Sequence, residues 1–148
     1  MTYIYEQHLH QVALAMRATG DNRGELLTEI IRRGIIERWP ESWLIAALAQ
    51  HISEEQAEEL AHQEAVYYTQ SLLIGEQIAV AERLGLCVFK EWRARSTACT
   101  ECQKMDCVRV SINANFPAHG VRLSGIWVDL FFSYAHQNCE CRLVFCFK

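Results

Sequence analysis

Two thiols three residues apart, Cys99 and Cys102, are followed after a gap of 33 residues by the run His136-Gln137-Asn138-Cys139-Glu140-Cys141. These are the side chains with the most distinctive chemistry in the sequence. Thiolates and an imidazole suit a tetrahedral zinc ion, and a C-x2-C turn lets both sulfurs face one point. The second cluster offers three donors where a closed four-ligand site needs only two. Cys139 and Cys141 sit two apart, so an extended segment projects both to the same side. Cys141 is the preferred fourth ligand and Cys139 the alternate. The expected cofactor is one structural Zn2+ per chain.

Two plainer readings compete. All seven cysteines (87, 99, 102, 107, 139, 141 and 146) fall after residue 86, so a disulfide framework or simple buried thiols are the alternatives. The number is odd, and the first residues carry neither a basic region nor an apolar run. A secreted disulfide scaffold more often shows an even count behind a leader, and secretion is not expected here. Cys87 and Cys146 alternate with apolar neighbours and are expected in the core, with Cys107 as a spare thiol.

The elements that must position these groups can be read from composition and periodicity. Among 148 residues, 51% are hydrophobic and 22% charged, which describes a folded chain with a substantial core. No apolar run approaches the ~20 residues that span a bilayer, so no membrane partner is expected. The net charge of -4 is unevenly spread. Residues 1–86 carry six arginines against thirteen acids, whereas 87–148 carry eight basic residues against five acids. The division predicts a helical region over 1–86 and a Cys-rich β lobe over 87–148, forming one unit with a long helix.

Tyr5, Leu9, Val12, Ala13 and Met16 lie on one face of an amphipathic helix closed by Gly20, with His8 and His10 expected in solvent. A second helix, capped by Asp21 or Asn22, carries Leu27, Ile30, Ile31 and Ile35 and ends before Pro40. A short third helix is expected over 41–51, burying Trp43 or Leu44 with Ala47 and Leu48. Ser53 and Gln56 form a capping box for a helix over 54–84, ~46 Å long, which Gly75 bends or divides. Apolar residues surround much of that helix, so it needs cover on more than one side. Strands are expected over 87–95, 108–112, 126–132 and 143–147. The fold class is therefore α+β: N-terminal helices including one long helix, followed by a small antiparallel β lobe with a zinc-knuckle-like Cys/His site.

Lys90-x-Trp92, then Cys99-x2-Cys102, Phe116 before a loop, and the closing His136-x2-Cys139-x-Cys141 follow one another in an order that resembles the phage head-morphogenesis, or minor head protein, family (the Mu F-like proteins of tailed bacteriophages). The resemblance covers roughly residues 60 to 145. Gln137 stands where that family prefers proline, Glu140 where it prefers arginine, and Cys107 where it usually has glycine. The resemblance implies a non-enzymatic, zinc-stabilised virion component that associates with portal or capsid proteins during head assembly. It would reside in the host cytoplasm before assembly and in the virion afterwards, with a homo-oligomer as a further expectation.

Other function classes fit less well. A zinc deaminase requires His-x-Glu before a Pro-Cys-x2-Cys, yet no such motif precedes Cys99, and Ala98 replaces the proline. A catalytic zinc site keeps one open position, which five candidate donors oppose. A nucleophile pair such as Cys139 with His119 lacks the local signatures of cysteine hydrolases. A nucleic-acid-binding zinc module would use Arg93, Arg95, Lys104, Arg109 and Arg122. That basic excess is small, and weak or no nucleic-acid binding is expected.

Overall fold

The structure, a computed structural model, describes residues 1–123 and 126–148. Its architecture is α+β: a helical N-terminal region with a 31-residue helix, then a three-stranded antiparallel sheet. The chain divides into two compact units, Met1–Ala65 and Val66–Lys148, so the long helix contributes to both.

In the first unit, Thr2 accepts the Tyr5 backbone N–H at 3.2 Å and caps α1 (Tyr3–Ala18). Gly20, at φ 82°, ends that helix as expected. Next comes α2 (Gly24–Ile36), whose N-cap is Arg23 without a side-chain bond. The expected capping acid, Asp21, instead accepts the Arg23 backbone N–H at 3.0 Å, closing a turn ahead of the helix. At its other end Arg38 takes the left-handed φ of 55°, while the Trp39 N–H donates to the Gly34 carbonyl at 2.9 Å. A Cβ at Gly34 would stand 3.1 Å from Leu44 and 3.3 Å from Trp39, so glycine permits this close turn. α3 (Glu41–Leu48) buries Leu48 and half-buries Leu44, leaving Trp43 62% exposed.

The core of this unit joins Tyr5, Leu9, Leu27, Ile31, Leu48, Ala57 and Leu60. It also contains His8, correcting the expectation of a solvated side chain. Position 8 lies three residues after Tyr5 and four before Val12, on the buried face of α1. The polarity of the imidazole is met by Glu64, 2.7 Å away. His10 is exposed.

The long helix α4 (Glu54–Leu84) opens on the expected capping box. The Gln56 N–H donates to Ser53 Oγ at 3.1 Å, and the Ser53 N–H donates to Gln56 Oε1 at 3.3 Å. Gly75 does not divide the helix. Gly85 ends it at φ 65°, with the Leu86 N–H donating to the Ala81 carbonyl.

In the second unit, β1 (Val88–Arg93) is the central strand, flanked antiparallel by β2 (Arg109–Ser111) and β3 (Arg142–Phe147). The register sets Lys90 opposite Val110 and Phe145, and Trp92 opposite Leu143. Trp92, Lys90, Phe116, Phe132 and Tyr134 are fully buried. Residues 126–132 do not form the expected strand. Side chains take up their backbone groups instead, one near and two distant in sequence: Phe131 N–H donates to Asp129 Oδ1 at 2.9 Å, Asp129 N–H to Tyr67 Oη at 3.1 Å, and Lys90 Nζ to the Phe131 carbonyl at 2.7 Å. An aspartate that turns the chain on itself outweighs the strand propensity of its apolar neighbours. Cys87 is exposed and Cys146 half-buried, correcting their expected place in the core. Cys87 pairs with Lys148 at the open end of the sheet, and Cys146 lies on an edge strand.

Candidate metal centre

The first pair of thiols is presented by a helical turn. α5 (Thr100–Met105) starts immediately after Cys99, its N-cap, and Cys102 lies within its first turn. Backbone N–H groups of Cys102 and Glu101 point at the Cys99 sulfur, and these bonds outweigh burial to hold the thiol below its usual range. That thiol is therefore primed to be a ligand. The C-x2-C spacing signalled the pairing, but the helix that delivers it is too short to leave a periodic pattern.

The second group rides on a loop gripped by α4. Gln70 accepts the Ser133 N–H at 2.9 Å and donates to Ser133 Oγ at 2.9 Å. Tyr67 stacks on Phe132 at 4.8 Å and meets Tyr134 edge-on at 5.9 Å. Tyr134 Oη in turn accepts the Asn138 N–H at 3.1 Å. Asn138 adopts φ 59°, a left-handed value that asparagine tolerates, and the Cys139 N–H closes the turn on the His136 carbonyl at 3.1 Å. Tyr67, Gln70 and Tyr134 are thus positioning residues that the sequence reading did not single out, because the grip of α4 on this loop joins residues more than sixty apart in sequence.

Cys99, Cys102 and His136 bring their donor atoms within 4.8 Å of one another, and so do Cys102, Cys139 and Cys141. Cys102 belongs to both groups, so the structure places all five expected donors in one cluster. Within the cluster Cys102 Sγ lies 2.9 Å from His136 Nε2, Cys99 Sγ 3.3 Å from the same nitrogen, and Cys102 Sγ 3.7 Å from Cys139 Sγ. With zinc–sulfur bonds of ~2.3 Å, two ligands of a tetrahedron stand about 3.8 Å apart. The Cys102–Cys139 pair already matches that edge.

His136 Nδ1 lies 2.7 Å from the Gln137 carbonyl, which fixes the proton on Nδ1 and turns the Nε2 lone pair toward the thiols. Burial draws the imidazole pKa down, but that carbonyl and the facing Cys139 and Cys99 thiolates raise it on balance. Among the buried sulfurs, the thiol of Cys141 donates toward Cys139, which is the main reason Cys139 falls to about 5. Cys141 is pushed up by the same bond and by burial. Cys102 rises to about 12, chiefly through burial and then the negative charge at Cys139. The buried Trp92 indole N–H makes no well-formed hydrogen bond among the described residues, but its approach to Cys141 favours the thiolate there.

Three sulfurs or two sulfurs with an imidazole nitrogen form a soft, oxygen-free donor set. Such clusters can hold a metal ion such as zinc. Cys107 stands apart, exposed at φ 65°, with Arg93 Nη1 3.2 Å from its sulfur. None of the described helices is long and apolar enough to cross a membrane. No family model matches the sequence, and neither a curated protein nor a solved structure does.

Proposed function

We propose that the cluster holds one structural zinc ion and that the chain is a non-enzymatic minor head protein of a tailed phage, acting with portal or capsid proteins in head assembly. The observation that carries the metal reading is a pair of three-donor Cys and His groups that share Cys102, with His136 held in the tautomer a ligand needs. Bound there, the ion ties the α5 turn to the loop entering β3. Cys99, Cys102 and His136 supply three ligands. The 3.7 Å separation from Cys102 favours Cys139 as the fourth, over the sequence preference for Cys141. Cys141 then sits behind it, its S–H directed at the Cys139 thiolate.

A fully ligated ion offers no open position to substrate, which supports a scaffold and not a catalyst. The assembly role rests on the ordered motif Lys90-x-Trp92, Cys99-x2-Cys102, Phe116 and His136-x2-Cys139-x-Cys141, which resembles the minor head proteins. Mass spectrometry of purified particles, followed by cross-linking, tests it. The expected result is this chain in the head fraction, cross-linked to portal or capsid subunits. A chain found only in the soluble host fraction would overturn the assignment.

A further inference from the structure

A four-coordinate ion uses four of the five clustered donors and leaves a buried thiol over. Cys141, 7% exposed, is then a bystander to the metal. The arrangement of the donors gives it a second use. Cys99, Cys102 and His136 form one group of three, and Cys102, Cys139 and Cys141 form another. A single zinc ion drawing on four of them must take Cys139 out of its own group. Two ions, each held by three donors, use all five, with Cys102 shared between them.

The size of each group suits such an ion. With bonds of ~2.3 Å, the zinc–sulfur length, a trigonal ion sets its ligands about 4 Å apart. The three donors of each group all lie within 4.8 Å of one another. Coordination number then separates the metals. Structural zinc is almost always four-coordinate, so three protein ligands would leave it a position for water. Cuprous ion is stable with three ligands, and soft thiolates together with imidazole are donors that suit it. Neither group contains a carboxylate, which disfavours harder ions that depend on oxygen. The identity of the shared donor also fits. A thiolate sulfur has lone pairs for two metal ions at once, whereas an imidazole nitrogen has one. Cys102, Cys139 and Cys141 are all buried, which shields a readily oxidised ion from water and dissolved oxygen.

We propose that the cluster also takes two Cu(I) ions, one in each group of three, bridged by the Cys102 thiolate. This rests on the cluster being a metal centre, but neither on zinc as its resident ion nor on the assembly role. Copper loading displaces bound zinc and the remaining thiol protons. No electron is transferred, because the copper enters already reduced.

The test uses the full chain carrying Cys87→Ser, Cys107→Ser and Cys146→Ser, so that no thiol outside the cluster takes copper. Protein purified with zinc is titrated, without oxygen, with cuprous ion supplied as its acetonitrile complex, against bicinchoninate as a competing chelator. Elemental analysis counts the copper and zinc retained per chain, and X-ray absorption reads the copper coordination. Two copper ions per chain are expected, with loss of the zinc, three-coordinate copper and a short copper–copper vector. Cys141→Ser in the same background should still hold one zinc but only one copper, half the capacity. A single copper per chain, two coppers without a copper–copper vector, or full capacity in Cys141→Ser would overturn the inference and leave zinc in place. Protein that retains neither metal would overturn the zinc reading as well.

Discussion

The His8 Nε2 lies 2.7 Å from one Glu64 oxygen and 3.0 Å from the other, and the two side chains are sealed from solvent. A carboxylate in such a place is tolerable only while its partner remains. The Tyr5 hydroxyl is part of the same group: its pKa is raised well above the usual value by burial and then by the Glu64 charge. His8→Ala should therefore destabilise the first unit by about 3–5 kcal/mol, the usual consequence of stranding a buried charge. Replacing both partners, as in His8→Leu with Glu64→Met, should restore most of that. Urea unfolding followed by helical signal checks it; a double variant no more stable than the single would show that the pair is not coupled.

Lys90 is the second buried charge. Its Nζ donates to the Phe131 carbonyl at 2.7 Å and lies 3.3 Å from the centre of the Phe131 ring. Burial lowers its pKa to about 7, partly opposed by Asp129. Below that value the folded protein must keep an ammonium group in an apolar site. Between about 7 and the usual lysine value the unfolded chain binds the extra proton, so stability rises with pH by up to ~1.4 kcal/mol per unit. Lys90→Met should be more stable than the wild type near neutrality and should lack this component of the slope. A difference between the two proteins that does not shrink as pH is raised would refute the account.

The two donor groups share Cys102, and this ranks the ligand variants. Cys102→Ser should be the most damaging, and Cys139→Ser should be worse than Cys141→Ser. Structural zinc contributes roughly 10–16 kcal/mol in small zinc-finger peptides at neutral pH, so chelation should unfold much of the second unit while the first retains its helices. Elemental analysis with hydrogen exchange would decide the matter. Metal-free protein with an unchanged sheet would remove the zinc reading, and greater loss in Cys141→Ser would restore Cys141 as fourth ligand.

Alkylation should sort the seven thiols. Cys87 and Cys107 are exposed and outside the cluster, so they should react first in metal-loaded protein. Cys99 is exposed as well, yet as a ligand it should be protected until the metal is removed. Peptide mapping before and after chelation reads the pattern. Early labelling of Cys99 in zinc-loaded protein would contradict its place in the site.

Local signals carried most of the elements. Apolar periodicity marked the helices, Ser53 and Gln56 announced the start of the longest, and alternation marked the two outer strands of the sheet. What was not legible depends on distant partners or on competition between local effects. Nothing near His8 reveals Glu64, 56 residues away. Residues 126–132 are apolar enough for a strand, but Asp129 and the side chains of Tyr67 and Lys90 satisfy the backbone differently. The five candidate donors were legible because C-x2-C and H-x2-C-x-C spacings are local. The choice between Cys139 and Cys141 was not, since both project toward the same point and Cys102 lies within reach of both.

The order of strands in the sheet also bears on synthesis. β1 lies at the centre, yet β3, its longest partner, is the last element of the sequence. As the chain leaves the ribosome, the first unit has all its residues available early. β1, by contrast, must wait with one edge open for more than forty further residues, a matter of seconds at ~5–20 residues per second. Cys99 and Cys102 wait more than thirty residues for His136. A nascent chain at that stage presents a strand with one unpaired edge and two thiols together, which makes it the species most exposed to chaperones and to mispairing.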